Sequence, residues 1–166
     1  MVKLFLSTPC YGGQCLEKYA TSVIKLQIEL IKEGIQLMLD TTENESLVHR
    51  ARNVAVGRFL QKTDADVFMF IDADVEFTAD AVVRLVKSPH DVSVAVYPKK
   101  VVMWDQVRNA VEQGDERNMA MLSSSLVANI GAHKRTVEDG FVELLDGPTG
   151  FMAIKRGAFE KLEEKF

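Results

Sequence analysis

The sequence predicts an α/β fold, with a mostly parallel central sheet and helices on both faces. Three observations predict it. Short apolar runs and amphipathic helical patterns alternate from the N-terminus to about residue 100. Residues Val67–Ile71 are apolar at every position, which marks a strand buried on both faces, as in a mostly parallel sheet. A chain of 166 residues with 47% apolar and 27% charged content suits one compact domain and excludes a disordered or fibrous one.

Taken in order, residues 2–6 form a short apolar run that stops at Ser7-Thr8-Pro9 and Tyr11-Gly12-Gly13, which reads as a buried strand and a loop. Apolar residues then recur at helical spacing (Leu16, Tyr19, Val23, Leu26, Leu30) until Gly34 ends the helix. Residues 35–39 are the second strand, and residues 40–45 a polar loop. Ser46 or Asn44 caps a helix with apolar positions at Leu47, Ala51, Val54, Ala55 and Phe59. After Val67–Ile71, Thr78 opens a short helix reaching Lys87, and residues 92–96 are the fourth strand. The rest is less regular. Residues 104–113 are helical, residues 119–130 fit neither period, and residues 141–145 and Phe151–Lys155 read as strands around a turn at 146–150. Residues 156–166 form an amphipathic helix whose stripe (Phe159, Leu162, Phe166) is still running where the sequence stops. That pattern fits a natural end and C-terminal truncation alike.

Charge and cysteine content narrow the function classes. Twenty Lys and Arg against 24 Asp and Glu leave a net charge of -4, so no broad nucleic-acid footprint is expected, although a local basic pocket for phosphate is compatible with it. Residues 118–133 are uncharged but carry Ser, Asn and Gly, too polar for a transmembrane segment. The first apolar run already contains Lys3 and is too short for a signal peptide. Cys10 and Cys15 are too few for a disulfide scaffold, and a reduced, cytoplasmic setting is the expectation. Their spacing does not match a zinc knuckle, and His49, His90 and His133 are scattered. No G-x-G-x-x-G follows a strand, and no P-loop is present.

The strongest local signal is Phe68-Met69-Phe70-Ile71-Asp72-Ala73-Asp74. In open α/β sheets, ligands bind beyond the C-terminal ends of the strands. Two carboxylates one residue apart there can converge on one hard cation such as Mg²⁺ or Mn²⁺, which fills its octahedron with substrate phosphate and water. The bland reading is a strand-ending turn, where Asp serves backbone hydrogen bonding. The preceding helix adds Arg50, Arg52 and Asn53; Arg50 and Asn53 lie on one face and Arg52 points elsewhere. A cation beside guanidinium groups is what a nucleoside diphosphate needs. Arg58 and Lys62 read as a solvated face. Lys99 and Lys100 serve either donor phosphate or solvent, and Trp104 with Met103 suits a sugar-stacking platform, or more commonly burial beneath a loop.

These segments together resemble the GT-A fold of nucleotide-sugar glycosyltransferases. Those that carry the likeness are Ser7-Thr8-Pro9 with Gly12-Gly13, Ser46-Leu47-Val48 with Ala51-Arg52-Asn53, and Ile71-Asp72-Ala73-Asp74-Val75. Tyr97-Pro98-Lys99-Lys100 and Asp146-Gly147-Pro148-Thr149-Gly150-Phe151-Met152 complete it. The likeness spans nearly the whole chain and is closest to family 2-type enzymes and related mannosyltransferases. It implies one GT-A domain, with residues 1–100 as the nucleotide-binding half and residues 101–166 as a partial acceptor-side half. It also implies Mn²⁺ or Mg²⁺ at Asp72 and Asp74 (the DXD motif) on the diphosphate of a UDP- or GDP-sugar. Thr8 and Pro9 would line the base or ribose pocket, Arg52 and Asn53 would contact nucleotide or sugar, and Lys99 would approach the donor phosphate. Gly147, Thr149, Gly150 and Phe151 would form the wall where donor sugar meets an acceptor hydroxyl.

The sequence also departs from the family. Its members supply a further acid, and often a His ligand, after the segment at Phe151. Here Glu160, Glu163 and Glu164 read as a solvated face, which leaves Asp146 as the candidate base, with turn capping as its other role. A truncated acceptor lobe would expose apolar surface and favour a homodimer. Two other readings compete. One is a non-catalytic sugar-nucleotide-binding module. The other, weaker, is a phosphatase of haloacid dehalogenase type with Asp72 as nucleophile; that class places the motif on its first strand and needs a later acidic pair, which Gly114-Asp115 after a polar helix does not supply.

Overall fold

A computed structural model of the chain describes residues 1–115, 118–129 and 137–165. Ile130, His133 and Phe166, which entered the sequence reading above, lie outside the described residues. The chain forms two compact units, Met1–Ala95 with Thr149–Phe166, and Val96–Pro148.

The first unit runs β1 (Lys3–Cys10), α1 (Glu17–Lys32), β2 (Gln36–Glu43), α2 (Val48–Lys62), β3 (Val67–Ile71), α3 (Ala79–Val86) and β4 (Val92–Val94). The second unit holds α4 (Trp104–Glu112), α5 (Met119–Leu122), β5 (Val137–Glu138) and β6 (Phe141–Val142), and the chain then returns to the first unit as β7 (Phe151–Lys155) and α6 (Arg156–Glu163).

The sheet order is β2-β1-β3-β7-β4. The fold is α/β, but the sheet is mixed. β1 pairs parallel with β2 and β3, whereas β7 lies antiparallel between β3 and β4. The expectation of a mostly parallel sheet therefore gives way to two parallel and two antiparallel pairings. The cause is the insertion of a reversed strand between two strands that run the same way.

β3 is buried at all five positions, as its unbroken apolar run requires. Side chains alternate across it. Phe68 and Phe70 join Phe5 of β1 against Phe59 of α2, and Phe159 of α6 meets Phe59 at a tilt and Phe68 edge-on. On the opposite face Ile71 pairs in register with Phe151, whose ring meets Phe77, which in turn meets Tyr19 of α1. Burying each of these large apolar side chains contributes roughly 1.5–3 kcal/mol.

Several boundaries differ from the sequence reading, each for a local reason. β2 continues through the stretch read as a loop, because β1 also runs on to Cys10 and keeps the register to Cys10↔Glu43. The polar Asp40 is satisfied within it, accepting from Ser7 Oγ at 2.9 Å and pairing with Arg58. α1 ends as expected at Gly34 (φ 64°), where Ile35 N donates back to Leu30 O at 2.9 Å. α2 begins without a side-chain cap from Ser46 or Asn44; instead Glu45 accepts from Leu47 N at 3.0 Å and holds Arg50. Thr78 caps α3 as predicted, accepting from Ala81 N.

In the second unit, β5 and β6 form a two-stranded hairpin across Asp139-Gly140, so the strand expected at 141–145 is only Phe141–Val142. The segment read as ambiguous opens with α5, followed by isolated bridges Pro98↔Leu126 and Asn129↔Asp146.

Candidate functional site

The sheet order reverses at β1, with β2 on one side and β3 on the other. The loops following parallel strands at such a reversal are where α/β folds bind ligands. β3 ends at Ile71, and three backbone bonds hold the turn that follows. Asp72 N donates to Gly150 O at 3.0 Å, Val75 N donates to Asp72 O at 3.0 Å, and Leu16 N donates to Ala73 O at 2.9 Å. The acidic turn is thereby fixed both to the start of β7 and to the start of α1.

A cleft of about 390 Å³ opens here, within the size range of small-molecule sites. Its walls carry Pro9 from the end of β1, Tyr11 and Cys15 from the segment after it, Glu45 and Ser46 from the segment after β2, and Asp72, Ala73 and Asp74 after β3. Both acids thus line one open space. Asp72 is about a third exposed and Asp74 is exposed.

Arg52 reaches Asp72 from α2. Its Nη2 donates to Asp72 Oδ1 at 2.7 Å, and the guanidinium sits 5.5 Å from the Phe70 ring centroid. Its Nε is buried without a hydrogen-bond partner. The neighbouring Arg50 turns away to Glu45, whose carboxyl is held below its ordinary range chiefly by that side-chain hydrogen bond, helped by the Leu47 amide. Of Arg50 and Arg52, the one pointing away from the Arg50–Asn53 face is the one that meets Asp72.

The structure brings Pro9, Asp72 and Asp74 onto one cleft and joins Arg52 and Gly150 to them through hydrogen bonds. Other expected residues are placed differently. Thr8 is fully buried, and its hydroxyl shares a hydrogen bond with Tyr19 beneath the cleft rather than lining a nucleotide pocket. Burial pushes the Tyr19 phenol up to about 12, against the opposing effect of that bond. Phe151 is a core residue, 5% exposed and packed on Phe77 at 5.8 Å, so it offers no open wall to a sugar. Asn53 and Thr149 are exposed.

Asp146, Gly147 and Lys99 belong to the second unit. There the Asp146 carboxylate accepts from Asn129 Nδ2 at 2.8 Å, and Lys99 N donates to Ser125 O at 2.7 Å. Trp104, for which burial was the commoner expectation, is 69% exposed.

Sequence reasoning did not single out Tyr11, Cys15 or Glu45 as cleft residues. The signal for all three was position, immediately after the first and second strands. Among the described residues, no group of three or more His, Cys, Asp or Glu side chains is placed to hold a metal ion. No described helix is long and apolar enough to cross a membrane.

No family model matches the sequence, and no curated protein matches it. The fold is similar to that of the crystal structure of A197 from STIV, with a TM-score of 0.52 and 21% identity over 97% of this chain and 68% of that chain. A likeness at that identity bears on the fold alone.

Proposed function

We propose that the chain is a glycosyltransferase of GT-A type, or the donor-binding core of one, that takes a UDP- or GDP-sugar with a divalent cation in the cleft beside β1 and β3. The observation that carries this reading is that Asp72 and Asp74 both line one open cleft, with Arg52 bound to Asp72. The donor set fits a hard cation of the Mg²⁺ or Mn²⁺ kind. Such ions take one or two carboxylates from protein and the remaining oxygens from phosphate and water, so two acids suffice.

In this reading Asp72 and Asp74 would hold the cation. When bound, the cation neutralises charge developing on the departing nucleoside diphosphate. The protein's own part is orientation. Arg52 fixes the Asp72 rotamer, and the Asp72–Gly150 and Leu16–Ala73 backbone bonds fix the turn that presents both acids. Tyr11, 74% exposed on the cleft wall, offers an aromatic face to the nucleotide.

A second reading, a module that binds the sugar nucleotide without turnover, is favoured by the engagement of Asp146, the candidate base, with the Asn129 amide. Incubation with UDP-glucose or GDP-mannose and Mn²⁺ separates the two. Slow release of UDP or GDP supports the transferase. Bound but intact donor supports the module, and failure to bind either donor contradicts both.

A further inference from the structure

β2 is an edge strand. Among the described residues it pairs with β1 alone, in unbroken register from Gln36 to Glu43. Gln36 N donates to Val2 O at 2.9 Å, so the parallel ladder engages residues 36, 38, 40 and 42. The N–H and C=O groups of Leu37, Leu39 and Thr41 therefore point outward, away from β1. Proteins commonly blunt such an edge with Lys, Pro or a bulge, and Gln36–Glu43 has none of these. The charge of Asp40 is already engaged by Ser7 and Arg58.

The helix on this face turns an uncharged side the same way. α1 packs on both β2 and α3. Toward α3 it presents Lys18, which pairs with Glu76, Ser22, which accepts from Phe77 N, and Lys25, Glu29 and Lys32, which border a groove at the start of α3. The helical period rotates positions 20, 24, 27 and 31 to the opposite side, over the sheet edge. They are Ala, Ile, Gln and Ile, all exposed, with Ile24 at 66% and Ile31 at 67%. Register and alternation put Leu39, itself 53% exposed, on the same face of the sheet as Thr8, which meets Tyr19 of α1.

We propose that β2 pairs antiparallel with β2 of a second copy of this chain, about a two-fold axis at Leu39, so that the two sheets join and the Ile24–Ile31 sides of the two α1 helices pack together. The strand edge is self-complementary. With Leu39 opposite the partner subunit's Leu39, Leu37 meets the partner subunit's Thr41 and Thr41 meets the partner subunit's Leu37, each pair exchanging two backbone hydrogen bonds. A two-fold axis along the sheet normal keeps both α1 helices on one face of the joined sheet. An unrelated extended peptide would satisfy the strand edge but leave the isoleucines in water. A second copy brings a strand and a helix in matching places, with no like charges opposed along the 20, 24, 27 and 31 stripe, and that selects it as the occupant. The pairing is independent of the ligand the cleft takes. It lies in the first unit, not on the acceptor-side half from which the sequence alone led to a homodimer.

The test is sedimentation velocity of the full chain over a concentration series, joined to cross-linking. Wild type is expected to reach twice the 18.6 kDa of one chain. Ile24→Lys/Ile31→Lys opposes like charges across the axis and is expected to weaken dimerisation by at least about tenfold. In a Cys15→Ser background, Leu39→Cys is expected to form an interchain disulfide on mild oxidation. Opposed residues of a hydrogen-bonded antiparallel pair have Cα atoms about 5.5 Å apart, within disulfide range. Glu43→Cys in the same background, four residues from the axis, is expected not to cross-link. Circular dichroism confirms the fold of each variant, and the wild-type mass with the Leu39→Cys cross-link decides the question if the lysine variant does not fold. A monomer at every concentration overturns the proposal. So does a dimer that keeps its strength in folded Ile24→Lys/Ile31→Lys, or one that fails to cross-link through Leu39→Cys.

Discussion

Arg52 and Asp72 form the most consequential pair in the first unit. The guanidinium is largely buried, and its partner carboxylate would keep a charge with no counterpart if Arg52 were truncated. Arg52→Ala should cost about 1–3 kcal/mol in a denaturant titration and also release the Asp72 rotamer. Arg52→Lys should recover part of the stability but not the bond geometry.

Tyr19 gives a pH signature at the same scale. Its folded-state pKa of about 12 lies above the ordinary 10.0, so the folded chain holds the phenolic proton more tightly than the unfolded chain does. Stability from this group is therefore complete below pH 10 and falls between pH 10 and about 12. Denaturation midpoints across that window should fall for wild type, and Tyr19→Phe should lack this contribution. Of these residues, Asp72 and Asp74 were legible because an apolar run ended on them. The Arg52 contact was not, because it depends on the rotation of α2 over β3, which residue spacing alone leaves open.

At the scale of elements, strong periodicity translated directly. β3, β7, α1 and α3 lie close to where their patterns placed them, and three of them have a stop or cap at a boundary: Gly34 after α1, Thr78 before α3, and the acidic turn after β3. The Thr78 hydroxyl replaces a missing backbone partner at the start of α3, so Thr78→Ala should lower stability by about 1 kcal/mol in thermal unfolding. Phe68, fully buried among Phe5, Phe59, Phe70 and Phe159, is the junction of α2, α6 and the sheet. Phe68→Ala should cost about 3–5 kcal/mol, a loss that a refilled cavity (Phe68→Leu) should partly recover. The elements misjudged were those whose length depends on a neighbour. The polar half of β2 is strand because β1 offers it a ladder, and the Asp139-Gly140 hairpin signal was present but passed over within a stretch of weak pattern.

For the molecule as a whole, the α/β class was legible from alternation, whereas the mixed sheet was not. The direction of β7 is decided by the route of the chain between β4 and β7, which leaves no short-range mark in composition or period. The candidate site was legible to the extent that it follows a general rule, acids and loops at the C-terminal ends of parallel strands. Thr8 and Phe151 illustrate the limit. Both stand beside the site in sequence, but the alternation of their strands turns them into the core. On the proposed function, Asp72 and Asp74 would jointly hold a cation that in turn holds a nucleoside diphosphate. Calorimetric titration of UDP and of GDP into wild type and Asp74→Ala, each with and without Mn²⁺, tests it directly. Mn²⁺-dependent binding of one nucleotide is expected, weakened in the variant by at least about tenfold, or about 1.4 kcal/mol. Binding that ignores Mn²⁺, or that is unchanged in Asp74→Ala, would contradict it.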